Sequence, residues 1–316
     1  MNIEDLLRET LSDMAHEEQP PPPGRFLQVN RGRSRRRGLA LAAATAVAVM
    51  AVGSTIVVQG LSSVSQDVAG QGSGETLVET KRGQTTLAVR EGLRLSQILE
   101  QLSTATGRPL VEFERAAKDS RALGLPGYAK GALEGFAFPG TYEVSPTSSP
   151  AEILAAMVTR FNRAAEESNL VKGARRVGRT PLEILTIASI VQAESSDKRA
   201  MPKIARVIEN RLKHRPEMEL RMDSTVLYGL NKFGASASTE ELKSRSRYNT
   251  YTRLGLPPGP ICNPGADAIE AALKPAAGPW LYFVTVDPKT GATKFAGSPS
   301  EYDKLVEEYR KNLRTG

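Results

Sequence analysis

From Gly38 to Gly60 the chain carries no charge, reading GLALAAATAVAVMAVGSTIVVQG. About 20 apolar residues span the hydrocarbon core of a bilayer, so this stretch is long enough to cross one. It is entered from RGRSRRRG, with Arg31, Arg33, Arg35, Arg36 and Arg37 at its mouth. Arginines flanking a span stay on the cytoplasmic side. The pattern therefore predicts a single-pass cell-membrane protein. Residues 1–37 form a cytoplasmic tail, 38–60 the anchor, and everything beyond is extracytoplasmic. A cleaved signal peptide fits less well, because the region before the apolar run is too long and no clear small-x-small site follows it. A buried core helix of Ala and Val leaves the arginines unexplained. Pro20 to Pro23 in the tail and the Gly-, Ser- and Gln-rich run of residues 61–80 read as flexible segments.

The remaining chain has the means to fold. Of 316 residues, 40% are hydrophobic and 24% charged, enough for two modest domains. That balance excludes a wholly disordered protein and a multi-span membrane protein. A single cysteine, Cys262, excludes an intrachain disulfide and a Cys-based zinc site. Two histidines, His16 and His214, exclude a His-rich metal site. The tail sets seven Arg against six acidic residues, so nearly all of the net +7 lies beyond the anchor. This is too dilute for a nucleic-acid-binding patch, but it suits a polyanionic partner.

Beyond the linker, TTLAVREG alternates as a strand does. LRLSQILEQLSTATG follows with helical spacing at Leu95, Ile98, Leu99 and Leu102. Together they predict a small α+β module over 81–130. A larger α+β domain occupies 131–316. It opens with ALEGFAFPGTYEV, read as a strand and turn packed on the core. Thr180, Pro181 and Glu183 stack the start signals of a helix over PLEILTIASIVQAES. Ile187, Ile190 and Glu194 share a face of it. A carboxyl group at the end of an apolar stripe is partly desolvated, which raises its pKa and keeps a proton available for general-acid chemistry. A helix-end Glu that simply reaches water fits the same spacing, and periodicity alone leaves both readings open.

PKIARVIENRLKHR predicts the next helix, with Asn210 and Arg211 beside its apolar face. MELRMDSTVLYGL reads as a loop and strand, in which Asp223, Ser224 and Thr225 cap or turn the chain. Ser238 and Glu241 form a second capping box. SRYNTYTRLGLPPGPICNPG is a long, Pro-rich loop of the kind that carries function. Asn263 and Pro264 read as N-cap and first residue of the helix after it. WLYFVTV and ATKFA around DPKTG predict a hairpin, and Ser298, Pro299 and Glu301 begin a last helix.

Six of these segments occur in one order: LEGFAFPGTYEV, ASIVQAES, ARVIENRL, MELRMDSTVLY, YNTYTRLGLPPGPICNPG and LYFV. In that order the chain resembles the YceG-like endolytic murein transglycosylase family (MltG), over the anchor and nearly all of 81–316. The resemblance implies a LysM-like, glycan-binding role for 81–130 and a YceG-like catalytic domain over 131–316. It implies that Glu194 is the catalytic acid, with Gln192 at an earlier, often acidic position of the same motif. It also implies that Asn210, Asp223, Thr225, Tyr248, Asn249, Thr250, Tyr251 and Asn263 line the sugar groove, and that Asn210 and Asn249 can hold the substrate acetamido group. Arg221, Lys294 and Tyr302 depart from the family pattern.

The implied substrate is peptidoglycan, cut within nascent glycan strands between N-acetylmuramic acid and N-acetylglucosamine. The products carry 1,6-anhydromuramic acid ends, and strand elongation stops. Penicillin-binding proteins are the implied partners, and no metal, cofactor or nucleic acid is required. Two rivals remain. One is an inactive, membrane-anchored peptidoglycan-binding scaffold. The other is a hydrolytic muramidase, which needs a second carboxylate such as Asp223.

Overall fold

The computed structural model describes residues 85–287 and 289–315. The tail, anchor and linker read from the sequence lie outside the described residues. Among the described residues no helix is long and apolar enough to cross a membrane.

The architecture is α+β. Strand β1 (Thr85–Val89) leads into helices α1 (Leu95–Thr106) and α2 (Leu110–Ala116). A 3-10 turn at Gly127–Ala129 precedes β2 (Gly140–Val144). β1 and β2 pair antiparallel, from Thr85 opposite Val144 to Val89 opposite Gly140. This ladder joins residues on both sides of the boundary expected near 130. Period-2 alternation marks a strand, but it does not say which distant strand will pair with it.

Five helices follow: α3 (Pro150–Glu167), α4 (Leu170–Arg176), α5 (Pro181–Glu194), α6 (Met201–Lys213) and α7 (Asp223–Gly229). After a 3-10 turn at Glu241–Lys243 come α8 (Ala266–Leu273), the hairpin β3 (Tyr282–Asp287) and β4 (Ala292–Ala296), and α9 (Pro299–Thr315). The hairpin matches the sequence reading, and α9 packs against β3.

Local chemistry fixes the helix starts. Thr180 accepts from the Glu183 amide at 3.2 Å, while Glu183 returns the bond to the Thr180 amide at 2.7 Å. Ser149 and Glu152 repeat that box at the start of α3. Each box satisfies amide donors that the first helical turn leaves without partners.

α5 is the spine. The sequence suggested one apolar face, but every residue from Ile184 to Val191 is buried. A helix apolar all round belongs inside a core, and α8 and α6 pack on it. Phe136 lies edge-on to Phe161, 4.8 Å between ring centres, beneath the loop that precedes β2. In that loop Gly135 has φ +89°, and a Cβ there would stand 2.6 Å from Pro260. Only glycine lets the LEGF and LPPGP segments approach so closely.

Candidate active site

The end of α5 and the start of α7 meet at Glu194. Ser224 Oγ donates to Glu194 Oε1 at 2.6 Å. Burial pushes the Glu194 carboxyl up to about 7, and the nearby Asp223 charge acts in the same direction. The Ser224 hydroxyl and amide and the Arg211 guanidinium pull the other way without overcoming burial. Glu194 nevertheless keeps a window to solvent. A protonated carboxyl near neutral pH with an open approach is the state a general acid needs.

The sequence left residues 223–229 as loop and strand, whereas they form α7. Asp223, Ser224 and Thr225 read as turn formers because their side chains compete locally with helix hydrogen bonds. Here the Asp223 and Ser224 side chains find partners remote in sequence, while the Thr225 hydroxyl donates to Met222 O at 2.7 Å. Asp223 Oδ1 accepts from the Tyr251 hydroxyl at 2.6 Å and its Oδ2 from the Ala237 amide at 3.0 Å. Thr225 is fully buried, with its hydroxyl 2.8 Å from that of Thr250. Thr250 Oγ1 in turn accepts from the Met222 amide.

Arg211 forms the wall behind the acid. Its guanidinium donates to Leu281 O at 2.6 Å and Leu220 O at 2.7 Å, and lies over Tyr282 at 5.3 Å. Tyr302 packs on that same ring at 5.2 Å. This departure from the family pattern thus backs the aromatic support of Arg211. Lys294 pairs with Glu308 at 2.6 Å, tying the hairpin to α9. Arg221 takes a left-handed conformation, φ +48°, and its amide donates to Thr250 O.

The asparagines have other work. Asn210 spends its amide hydrogens on Gly278 O and Trp280 O. Asn249 is fully buried and donates to Leu242 O and Ser244 O, while its carbonyl accepts from the Tyr251 amide. Both thus spend their side-chain N–H groups on backbone carbonyls rather than on a substrate carbonyl. Both secure loops that frame the site. Asn263 is not a helix cap either. Gly265 fills that position, and buried Asn263 joins Leu93 O, Glu134 and the Ala137 amide. An amide both donates and accepts, so it can join strands of backbone as readily as it caps a helix.

Glu134, within the LEGF motif, is a second desolvated acid that the sequence reading did not single out. Burial pushes it up to about 7 despite donors at Leu95 N and Tyr228 Oη. The Leu95 amide lies 3.0 Å away, the Asn263 amide 3.0 Å and the Tyr228 hydroxyl 3.2 Å. Its signal was a lone carboxylate between the apolar Leu133 and Phe136. Tyr228, one helical turn from Ser224, packs at a tilt of 58° against Tyr248, 4.8 Å between ring centres. Among the described residues no group of three or more His, Cys, Asp or Glu is placed to hold a metal ion.

Fold and site together define an α+β protein built around a desolvated carboxylic acid at a helix end. The chain belongs to the YceG-like family, whose model matches residues 40–308. It is similar to a Bacillus subtilis protein named endolytic murein transglycosylase, 37% identical over 180 residues, 56% of this chain and 48% of that protein. It is also similar to a Streptococcus pneumoniae protein of the same name, 32% identical over 185 residues, 56% of this chain and 32% of that one. The chain thus spans about half of the first relative and a third of the second. A crystal structure of a yceG-like protein from Listeria monocytogenes superposes with a TM-score of 0.62 at 28% identity, covering 70% of this chain and 75% of that one.

Proposed function

We propose that this protein is an endolytic peptidoglycan lytic transglycosylase, with Glu194 as both acid and base. The observation that carries the reading is the Glu194 carboxyl, held by Ser224 at 2.6 Å and raised to about 7. Protonated Glu194 gives its hydrogen to the oxygen joining N-acetylmuramic acid to N-acetylglucosamine, and the C1–O bond breaks. The muramic C6 hydroxyl then attacks C1 and returns its proton to the Glu194 carboxylate. One strand end becomes 1,6-anhydro, and no water is consumed. A hydrolytic muramidase needs a second carboxylate to orient water. Asp223 stands nearby, and the Tyr251 hydroxyl and the Ala237 amide hold it at 2.6 Å and 3.0 Å.

The anchor over 38–60, the extracytoplasmic site and the glycan-binding role of the N-terminal module belong to the same proposal. They rest on the uncharged span, on the arginines before it and on the family resemblance. A site tethered close to the membrane acts where new strands emerge, which favours penicillin-binding proteins as partners. The test is mass spectrometry of products from the full chain and uncrosslinked peptidoglycan, beside Glu194→Gln. Internal fragments lighter by one water than hydrolytic products, absent with Glu194→Gln, are the expected result. Reducing ends would favour a muramidase. Intact strands that still bind would favour a scaffold.

A further inference from the structure

A groove of about 670 Å³ lies between α1, α2 and the end of α7, with Tyr248 on its rim. Nothing in the acid–base step uses it. Its most unusual occupant is Arg94, at the mouth of α1. Arg94 Nη1 is buried and has no hydrogen-bond partner. A desolvated donor without an acceptor is costly, the more so where charge is involved. Glu134 lies close by, but its oxygens accept from the Leu95 amide, the Asn263 amide and the Tyr228 hydroxyl. The guanidinium is instead held between rings, 5.2 Å from the centre of Tyr228 and 4.3 Å from that of Phe233. Phe233 itself is 56% exposed. Arg94 is thus flanked by two aromatic faces; Nη1 is turned inward, and the exposed remainder of this half-buried side chain presents its charge to the groove.

The rest of the groove fits a sugar chain. Tyr228 and Tyr248 both line it, tilted by 58° with ring centres 4.8 Å apart, offering apolar faces with polar edges. Tyr228 follows Ser224 by four residues on α7, so the two side chains share a helix face about 6 Å apart along the axis. The groove therefore begins one turn from the residue that holds Glu194. Its far wall carries Glu114 and Lys118, both exposed and solvated.

We propose that the groove is a subsite for an acidic substituent of the glycan, in which Arg94 takes a carboxylate borne by a muramic acid unit while the tyrosine pair receives the sugar. The inference rests on the glycan-cleaving reading above. The carboxylate has two sources, the lactyl group of a peptide-free strand or the stem peptide of a nascent one.

The full chain carrying Glu194→Gln is titrated with peptide-bearing uncrosslinked strands and with strands stripped of peptide. Each is also presented with its carboxylates converted to amides. At least one acidic strand should bind about ten-fold or more tighter than its amidated form, the worth of one charge-assisted hydrogen bond. Arg94→Gln should erase that difference, and Arg94→Lys should keep part of it. Whichever acidic strand shows the difference identifies the source. Equal binding of acidic and amidated forms of both strands overturns the subsite without reference to any Arg94 variant. Binding of none of them overturns it too. In turnover by the otherwise unchanged chain, Arg94→Gln should raise KM with kcat held, and a fall in kcat alone counts against the subsite. If the unaltered chain cuts no strand, the transglycosylase reading fails, while the binding arms still decide the groove.

Discussion

Ser224 Oγ and Glu194 Oε1 are 2.6 Å apart, although thirty residues separate them in sequence. The bond orients the acid and favours its ionised form, opposing the burial that raises its pKa. Ser224→Ala should lower kcat about ten-fold, since a hydrogen bond to a charged group is lost. It should also move the alkaline limb of the pH–rate profile upward, because an opposing influence is removed. On the proposed function, the unaltered protein should lose activity above about pH 7 as the acid form is depleted. An alkaline limb unmoved by Ser224→Ala would mean that another group sets it.

Glu194 should also weaken the fold. The unfolded chain ionises this carboxyl near 4.5, whereas the folded protein does so near 7. Any stability gained from the raised value is full below about pH 4.5 and lost as pH climbs through 7. Glu194→Gln, which stays neutral, should therefore melt higher than the parent at pH 8, by at most about 3 kcal/mol, with the gap closing towards pH 4. Calorimetry across that range checks the trend. A gap independent of pH would contradict the desolvation argument.

Asn249 should behave as scaffold rather than as a sugar ligand. Its buried amide holds Leu242 O and Ser244 O, so Asn249→Ala strands two carbonyls. The expected loss is about 2–3 kcal/mol of stability, read by urea denaturation. At a temperature where the variant is folded, its KM should be close to that of the parent. A large KM effect with unchanged stability would restore the sugar-binding role.

Glu209 is 3% exposed and bonded to Arg179 at 3.1 Å, with Lys213 at 3.0 Å. Burial alone would raise its pKa, but Arg179 and Lys213 hold it below the ordinary carboxylate range. Its contribution is present above the unfolded value and is lost as pH falls through the folded one. Glu209→Gln should cost about 3 kcal/mol at pH 7, since it removes the nearer carboxylate partner of a largely buried guanidinium and leaves only Glu183 at 3.8 Å. The loss should fade in strong acid, where the parent is protonated as well.

Much of this was legible in the chain. The Thr180–Pro181–Glu183 signal fixed the start of α5, and its spacing carried Glu194 to the end of that helix. The hairpin and α9 were equally plain. What stayed hidden depends on partners remote in sequence. Residues 223–229 read as loop and strand because the donors that hold Asp223, at Tyr251 and Ala237, are remote in sequence. Asn210, Asn249 and Asn263 sit in motifs beside the acid, and an amide that binds sugar has the same letter as one that binds backbone. Glu134 gave a faint signal, since its environment is assembled from Leu95, Tyr228 and Asn263.

Asn263 has a consequence for how the chain is made. It receives Ala137 N on its side-chain carbonyl and reaches Leu93 O through both its amides, so three distant stretches are registered at one residue. Ribosomal synthesis delivers residue 263 long after 93 and 137 have emerged. The early half of the described fold cannot close on its own schedule. It must wait, with its apolar face uncovered, for a loop from the last third of the chain, and contacts of such long range slow folding. The Leu93–Glu134–Ala137 junction is therefore completed only after the loop carrying Asn263 has been made.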